Sequence, residues 1–253
     1  MCRLLAIVGK IDEKLKSKTL ENFQRLAQYG YIAPKIEKGH KDGWGIVAYK
    51  GGKISMEEKD LKSAYGNMKY SKAVSALEKT EQDIIIAHLR KATVGKRSIK
   101  NVHPFIFGNL TFCQNGTIKE SEKIPLESKY AKLVKGETDS EKFFFFILQN
   151  LEKYKNRRAD FVQKNIKNSL EFIKSNFDYT AINLIFSDGK NLWASREVNT
   201  KNEIVRRHKL LKYYSLFIGV DKHRKFSMIS SEKIKIKDVS WRLLKNHEFL
   251  RVA

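Results

Sequence analysis

The chain opens Met1-Cys2-Arg3-Leu4-Leu5-Ala6-Ile7-Val8-Gly9, and this stretch constrains the fold more than any other. Leu4 to Val8 is an unbroken apolar run that reads as a buried strand, which anchors the terminus instead of letting it fray. Cys2 stands directly before it. A small side chain at this position permits removal of Met1, after which one residue carries both a thiol and a free α-amine. Reference pKa values near ~8 for such an amine and ~8.5 for a thiol let the amine serve as base for its own nucleophile. Taken alone, an incidental N-terminal cysteine is the plainer reading.

The remaining composition narrows the class. The 253 residues are long enough to bury a substantial core, and 42% hydrophobic with 11% aromatic content argues against disorder. No apolar run approaches the ~20 residues of a membrane span; the longest candidate is Phe143 to Leu148. The short opening run is followed by Lys/Glu-rich sequence, unlike a secretion signal. The only cysteines, Cys2 and Cys113, provide neither a disulfide framework nor a four-cysteine zinc site, so a reducing cytoplasm is the expected setting. The net charge of +22, from 50 Lys+Arg against 28 Asp+Glu, raises the question of nucleic acid. The lysines are spread along the chain with no Arg-rich arm and no basic-aromatic motif, which favours a charge-solubilised surface. Attraction of anionic substrates or an acidic partner protein stays open.

Apolar spacing predicts helices over Asp12–Tyr29, Tyr70–Lys79, Lys142–Leu151 and Ala159–Asn176. Strands are expected at Ile46–Tyr49, followed by a Lys50-Gly51-Gly52-Lys53 turn, and at Asp83–His88, Leu110–Cys113, Tyr179–Ser187, Asn191–Arg196, Tyr213–Val220, Lys225–Ser230 and Glu248–Val252. A loop is expected from Ala33 to Lys41, around Pro34 and Gly39. Strands bunched on either side of helices imply an α+β sandwich, not the alternation of a parallel sheet. No linker or repeat divides the chain, so residues 1–253 read as a single domain.

Several polar blocks each admit two readings. In His40-Lys41-Asp42-Gly43-Trp44-Gly45, Trp44 can be a core anchor between turn glycines, or the glycines can let the backbone pass close to a ligand. Arg90 ends the Asp83–His88 strand, where a guanidinium either pairs with a surface acid or grips a carboxylate. Asn115-Gly116 has the composition of a tight turn. Alternatively the Asn115 amide and Gly116 N–H point together at a developing oxyanion. In Gly136-Glu137-Thr138-Asp139-Ser140-Glu141, Thr138 or Asp139 can cap a helix with Glu141 as the capping-box acid, or Asp139 can face a cavity and hold an ammonium.

Taken in order, these blocks resemble the class II glutamine amidotransferases, N-terminal-nucleophile hydrolases with a four-layer αββα fold. The resemblance is carried by Met1-Cys2-Arg3-Leu4-Leu5, the His40 to Gly45 block, Ala87-His88-Leu89-Arg90-Lys91-Ala92-Thr93, Asn101-Val102-His103-Pro104-Phe105, Asn115-Gly116 and the Gly136 to Glu141 block. It covers the first ~140 residues and is closest to the stand-alone branch of YafJ-like proteins and γ-glutamyl hydrolases. Downstream only Ser231-Glu232 matches.

The resemblance implies that Cys2 attacks the γ-carbonyl of glutamine or another γ-glutamyl compound while its own amine moves the proton. It assigns Asn115 and Gly116 to the oxyanion hole, Arg90 to the substrate α-carboxylate, Asp139 to its α-ammonium and Thr93 to the same pocket. His103 and Trp44 are expected as supporting or lid residues. No metal or organic cofactor is implied. No synthase domain follows, so an ammonia acceptor would be a separate subunit, or the enzyme simply hydrolyses; assembly into a homo-oligomer is open. One departure stands out: the family usually has His before the Asn-Gly pair, and here it is Gln114. The rival from another class is a non-catalytic basic protein binding nucleic acid or an acidic partner.

Overall fold

The computed structural model describes residues 2–32, 39–152 and 158–252. In chain order the elements are β1 (Arg3–Gly9), α1 (Glu13–Tyr29), β2 (Trp44–Lys50), β3 (Lys53–Asp60), α2 (Met68–Glu78), β4 (Ile84–Leu89), β5 (Phe105–Phe107) and β6 (Leu110–Ile118). They continue with α3 (Ser128–Ala131), α4 (Asp139–Glu152), α5 (Ala159–Asn176), β7 (Tyr179–Ser187), β8 (Leu192–Arg196), α6 (Glu203–Arg207), β9 (Phe217–Asp221), β10 (Phe226–Ser230), β11 (Val239–Leu243) and β12 (Glu248–Arg251). The longer helices start where local chemistry allows. Asp12 accepts the Leu15 N–H at 3.1 Å to cap α1, and Asn67 accepts from Lys69 and Tyr70 to cap α2.

Two antiparallel sheets carry the fold, one ordered β11-β9-β10-β1-β4-β2-β3 and the other β12-β8-β7-β6-β5. The first strand is therefore central, paired with β10 on one side and β4 on the other. Its alternation sorts the core into layers. Leu5 and Ile7 pack with Leu20 and Phe23 of α1 and with α2. Leu4, Ala6 and Val8 face Cys113, Ile185 and Ala194 of the second sheet. On the far side of that sheet, Phe112, Leu184 and Phe186 are covered by α4 and α5. The order helix, sheet, sheet, helix is the expected αββα sandwich.

The phenylalanine run of α4 is buried all round, with Phe143, Phe144, Phe145 and Phe146 no more than 5% exposed. A helix that is apolar on every side needs such cover, which β6, α3 and α5 supply. Phe144 stacks on Phe112 at 5.4 Å, fixing α4 over β6.

Two local expectations change. The strand expected from Tyr213 begins only at Phe217, because Tyr213 and Tyr214 turn inward to pack with Val205 and Leu210. The second strand of the hairpin, β6, runs through Asn115 to Ile118 instead of ending at Cys113. Of the loop expected from Ala33 to Lys41, residues 33–38, Pro34 among them, lie outside the described residues.

Candidate active site

The tight-turn reading of Asn115-Gly116 is corrected by the sheet. Asn115 pairs with Asn183 and Gly116 with Ile182 of β7, and the register slips between Gly116 and Ile118. Gly116 has φ +139°, and a Cβ there would overlap the Ala181 carbonyl. Glycine is thus required by a bulge within a strand, not by a hairpin.

This stretch lies against the chain start. The backbone nitrogen of Cys2 donates to Asn115 Oδ1 at 3.0 Å, across 113 residues of sequence. Asn115 is buried, and its Nδ2 has no partner among the described residues. Since Oδ1 is held by Cys2, the free amide N–H is oriented by the same contact. The half-buried Cys2 thiol points its Sγ toward the Lys91 carbonyl, 3.7 Å away.

Lys91 follows Arg90, at the end of β4. β2 pairs with β4 so that Trp44 faces Leu89 and Gly45 faces His88. Beyond the ladder, Arg90 N–H donates to the Gly43 carbonyl at 2.8 Å, and Asp42 Oδ2 accepts from Ala92 N–H at 2.8 Å. These bonds fix the segment that turns Arg90 inward. Its guanidinium is buried; Nη2 donates to the Val94 carbonyl at 3.1 Å, while Nη1 has no partner among the described residues. A buried, half-used guanidinium fork is a ready receptor for a carboxylate. The exposed Thr93 lies beside it, its Oγ1 3.4 Å from that of Thr117.

Asp139 closes the arrangement from α4. Its Oδ2 accepts the Ile118 N–H at 2.7 Å, just past the Gly116 bulge. Burial pushes the carboxyl up to about 6, against the pull of the Ile118 N–H and of N–H groups at the helix start. Thr138 accepts the Glu141 N–H at 3.2 Å, as expected of a cap. Glu141 reaches further back than a capping box would, accepting from Lys135 and Gly136. Asn101 joins the blocks, donating to the Lys96 carbonyl at 2.9 Å and accepting the Glu137 N–H at 2.8 Å.

Cys2, Arg90, Thr93, Asn115, Gly116 and Asp139 are therefore linked by direct or next-neighbour contacts. His103 sits behind them, its ring 4.4 Å from those of His88 and Phe105. Burial, aided by the Arg90 charge, pushes His103 down to about 3, so it is neutral near pH 7. Gly45 makes room for it: a Cβ there would overlap the His103 carbonyl. Trp44 is not part of the group. It is fully buried under the helices, edge-on to Tyr70 at 4.9 Å, in the cluster of Leu5 and Ile7. Gln114 likewise faces the helix-covered side, buried with neither amide atom partnered among the described residues.

Other residues at this end of the sheets gave no signal in the sequence. Asn183 Oδ1 accepts the Glu197 N–H at 2.8 Å and its Nδ2 donates to the Tyr214 carbonyl at 3.0 Å, bracing the strand opposite Asn115. Tyr214 donates to Thr180 Oγ1 at 2.8 Å, and Thr180 Oγ1 accepts the Thr117 N–H at 3.1 Å. His40, which opens a block the sequence did single out, is pushed down to about 2, by burial first and then by the Arg3 charge.

A four-layer αββα sandwich with a cysteine directly before its central first strand is the architecture of the N-terminal-nucleophile class. The chain belongs to the class II glutamine amidotransferases, whose family model matches residues 1–249. It is 31% identical over 210 residues to the uncharacterized protein MJ1515 of Methanocaldococcus jannaschii, covering 81% of this chain and 53% of that protein. Similarity to DUG3 of Saccharomyces cerevisiae is 24% over 236 residues, covering 80% and 65%. YafJ of Escherichia coli is 31% identical over 174 residues, covering 63% and 62%. The match thus spans from about half to just under two thirds of these relatives. Among solved structures, a glutamine aminotransferase class-II domain protein of Silicibacter pomeroyi superposes with TM-score 0.58 at 16% identity, covering 99% of this chain and 94% of that one. Glutamine phosphoribosylpyrophosphate amidotransferase of B. subtilis superposes with TM-score 0.63 at 17% identity, covering 99% and 47%. At these identities the likeness is one of fold. Among the described residues no helix is long and apolar enough to cross a membrane.

Proposed function

We propose that residues 1–253 form a single amidotransferase domain that cleaves a γ-glutamyl amide through Cys2. The observation that carries this reading is the bond from Cys2 N to Asn115 Oδ1, beside an unpartnered Asn115 Nδ2. Once Met1 is removed, that nitrogen is the α-amine next to the thiol. The amine takes the Sγ proton as sulfur attacks the γ-carbonyl. Asn115 Nδ2 and the Gly116 N–H stabilise the oxyanion. As the tetrahedral species collapses, the C–N bond breaks and the amine nitrogen returns the proton to the leaving group. Ammonia or an amine departs, leaving a γ-glutamyl thioester. Water, deprotonated by the same amine, hydrolyses it to glutamate and restores the thiol.

Arg90 Nη1 grips the α-carboxylate, ionised Asp139 holds the α-ammonium and Thr93 lines the same pocket. His103 packs behind Arg90 and keeps its surroundings free of a second cation. Glutamine is the simplest substrate, a γ-glutamyl peptide the alternative. Released ammonia goes to water or to a separate acceptor subunit.

The test is glutamate release from glutamine and from γ-glutamyl peptides, comparing mass-verified protein that begins at Cys2 with Cys2→Ala. Release by the first and none by the second is expected. Equal release by both, or none by the intact protein, contradicts the reading; the latter, with salt-sensitive retention on nucleic acid, would favour the binding-protein alternative.

A further inference from the structure

Cys2 lies one residue beyond the regular ladders of β1, whose pairing begins at Arg3 on the β4 side and Leu5 on the β10 side. A nucleophile just outside a ladder needs another restraint. The residue after β10 supplies part of it: Ser231 N–H donates to the Leu4 carbonyl and Ser231 Oγ accepts the Leu4 N–H, both at 3.0 Å.

The rest comes from Arg3, only 1% exposed. Its Nη1 donates to the Cys2 carbonyl at 2.9 Å, its Nε to Glu232 Oε1 at 2.6 Å and its Nη2 to the Tyr31 carbonyl. The guanidinium carbon lies 4.4 Å from the centre of the Tyr213 ring. Glu232 Oε1 also accepts the Tyr31 N–H at 2.8 Å, so both polar groups of the Tyr31 backbone join the cluster.

We propose that Arg3 is a positioning residue for Cys2, with Glu232 holding the guanidinium in place. Asn115 restrains the Cys2 nitrogen while Arg3 restrains its carbonyl, and the two together set the direction of Sγ. Only a planar fork can serve the Cys2 carbonyl, Glu232 and Tyr31 at once; a lysine at this position carries the charge but not the geometry. The segment after α1 and the segment after β10 thereby bear on the nucleophile without touching substrate.

This inference rests on the N-terminal thiol reaction proposed above, so its test has two readouts. Arg3→Lys and Glu232→Gln are compared with the parent, each beginning at Cys2 and shown folded by thermal denaturation. The first readout is glutamate release from glutamine. Misplacing a reacting group by about 1 Å costs on the order of 100-fold, so kcat should fall about 10- to 100-fold in Arg3→Lys, and less in Glu232→Gln, with KM within about twofold. The second is the rate of Cys2 alkylation by iodoacetamide across pH 6–9, with Cys113 buried and protected. The parent pH profile should be altered in both variants. Unchanged kcat and unchanged alkylation in folded variants overturn the inference. If the parent itself releases no glutamate, the proposed function fails, and the alkylation profiles alone decide whether Arg3 positions the thiol.

Discussion

Asp139 makes a prediction whose size follows from its surroundings. Burial raises its carboxyl from an ordinary 3.8 to about 6. At ~1.4 kcal/mol for each pH unit, the buried pocket favours the protonated form by roughly 3 kcal/mol. The sign follows from proton counting. Between 3.8 and 6 the folded protein holds a proton that the unfolded chain has released, so stability from this group is full below 3.8 and is lost as pH rises through 6. Asp139→Asn keeps an oxygen for the Ile118 N–H and removes the charge. Urea unfolding of both proteins between pH 3.5 and 7.5 should show the variant gaining about 3 kcal/mol on the parent across that range. The same carboxylate must be ionised to hold a substrate ammonium. The parent KM should therefore rise about tenfold per pH unit below 6, while the variant binds weakly with no such dependence. A stability difference constant with pH would refute the buried-charge reasoning. A parent KM that is flat from pH 5 to 7 would refute the role of Asp139 in binding.

Other outcomes follow from single contacts. Asn115→Ala removes one proposed oxyanion donor and should lower kcat by about 10²- to 10³-fold in steady-state glutamate release, with the fold retained by circular dichroism. Arg90→Lys loses the free fork and should raise KM about 10- to 100-fold in the same assay, in line with the ~1.5–3 kcal/mol of a charged hydrogen bond. Gly116→Ala must part β6 from the Ala181 carbonyl while holding φ +139°, and should cost at least about 2 kcal/mol in urea unfolding.

Much of this arrangement was legible before the structure. The α4 and α5 periodicities, the Leu4–Val8 run and the polar blocks each reflect local demands: a buried helix face, a covered strand, a cap. Asn115-Gly116 misleads when read locally, because its turn propensity yields to pairing with Asn183 and Ile182 and glycine is needed for the Ala181 carbonyl. Trp44 shows the reverse: the local reading as a core anchor holds, since β2 alternation turns it under the helices against Tyr70, and the supporting or lid role implied by the resemblance does not. Glu232, Tyr31 and Asn183 could not be connected to Cys2 from sequence. Their relation depends on β10 returning beside β1 and on β7 pairing with β6, long-range closures that leave no short pattern. Arg3 shares the difficulty, since a lone cation after Cys2 looks like a surface residue until Glu232 and Tyr31 close round it.

In the proposed reaction Cys2, once it is the first residue, forms a covalent γ-glutamyl bond. The most direct measurement is peptide mass mapping after the Met1-free protein is exposed to a chloroketone analogue of glutamine. One adduct is expected, on the N-terminal peptide at Cys2, formed more slowly in the presence of glutamate and absent from Cys2→Ala. Modification insensitive to glutamate, or no adduct on Cys2 in the folded protein, would contradict it.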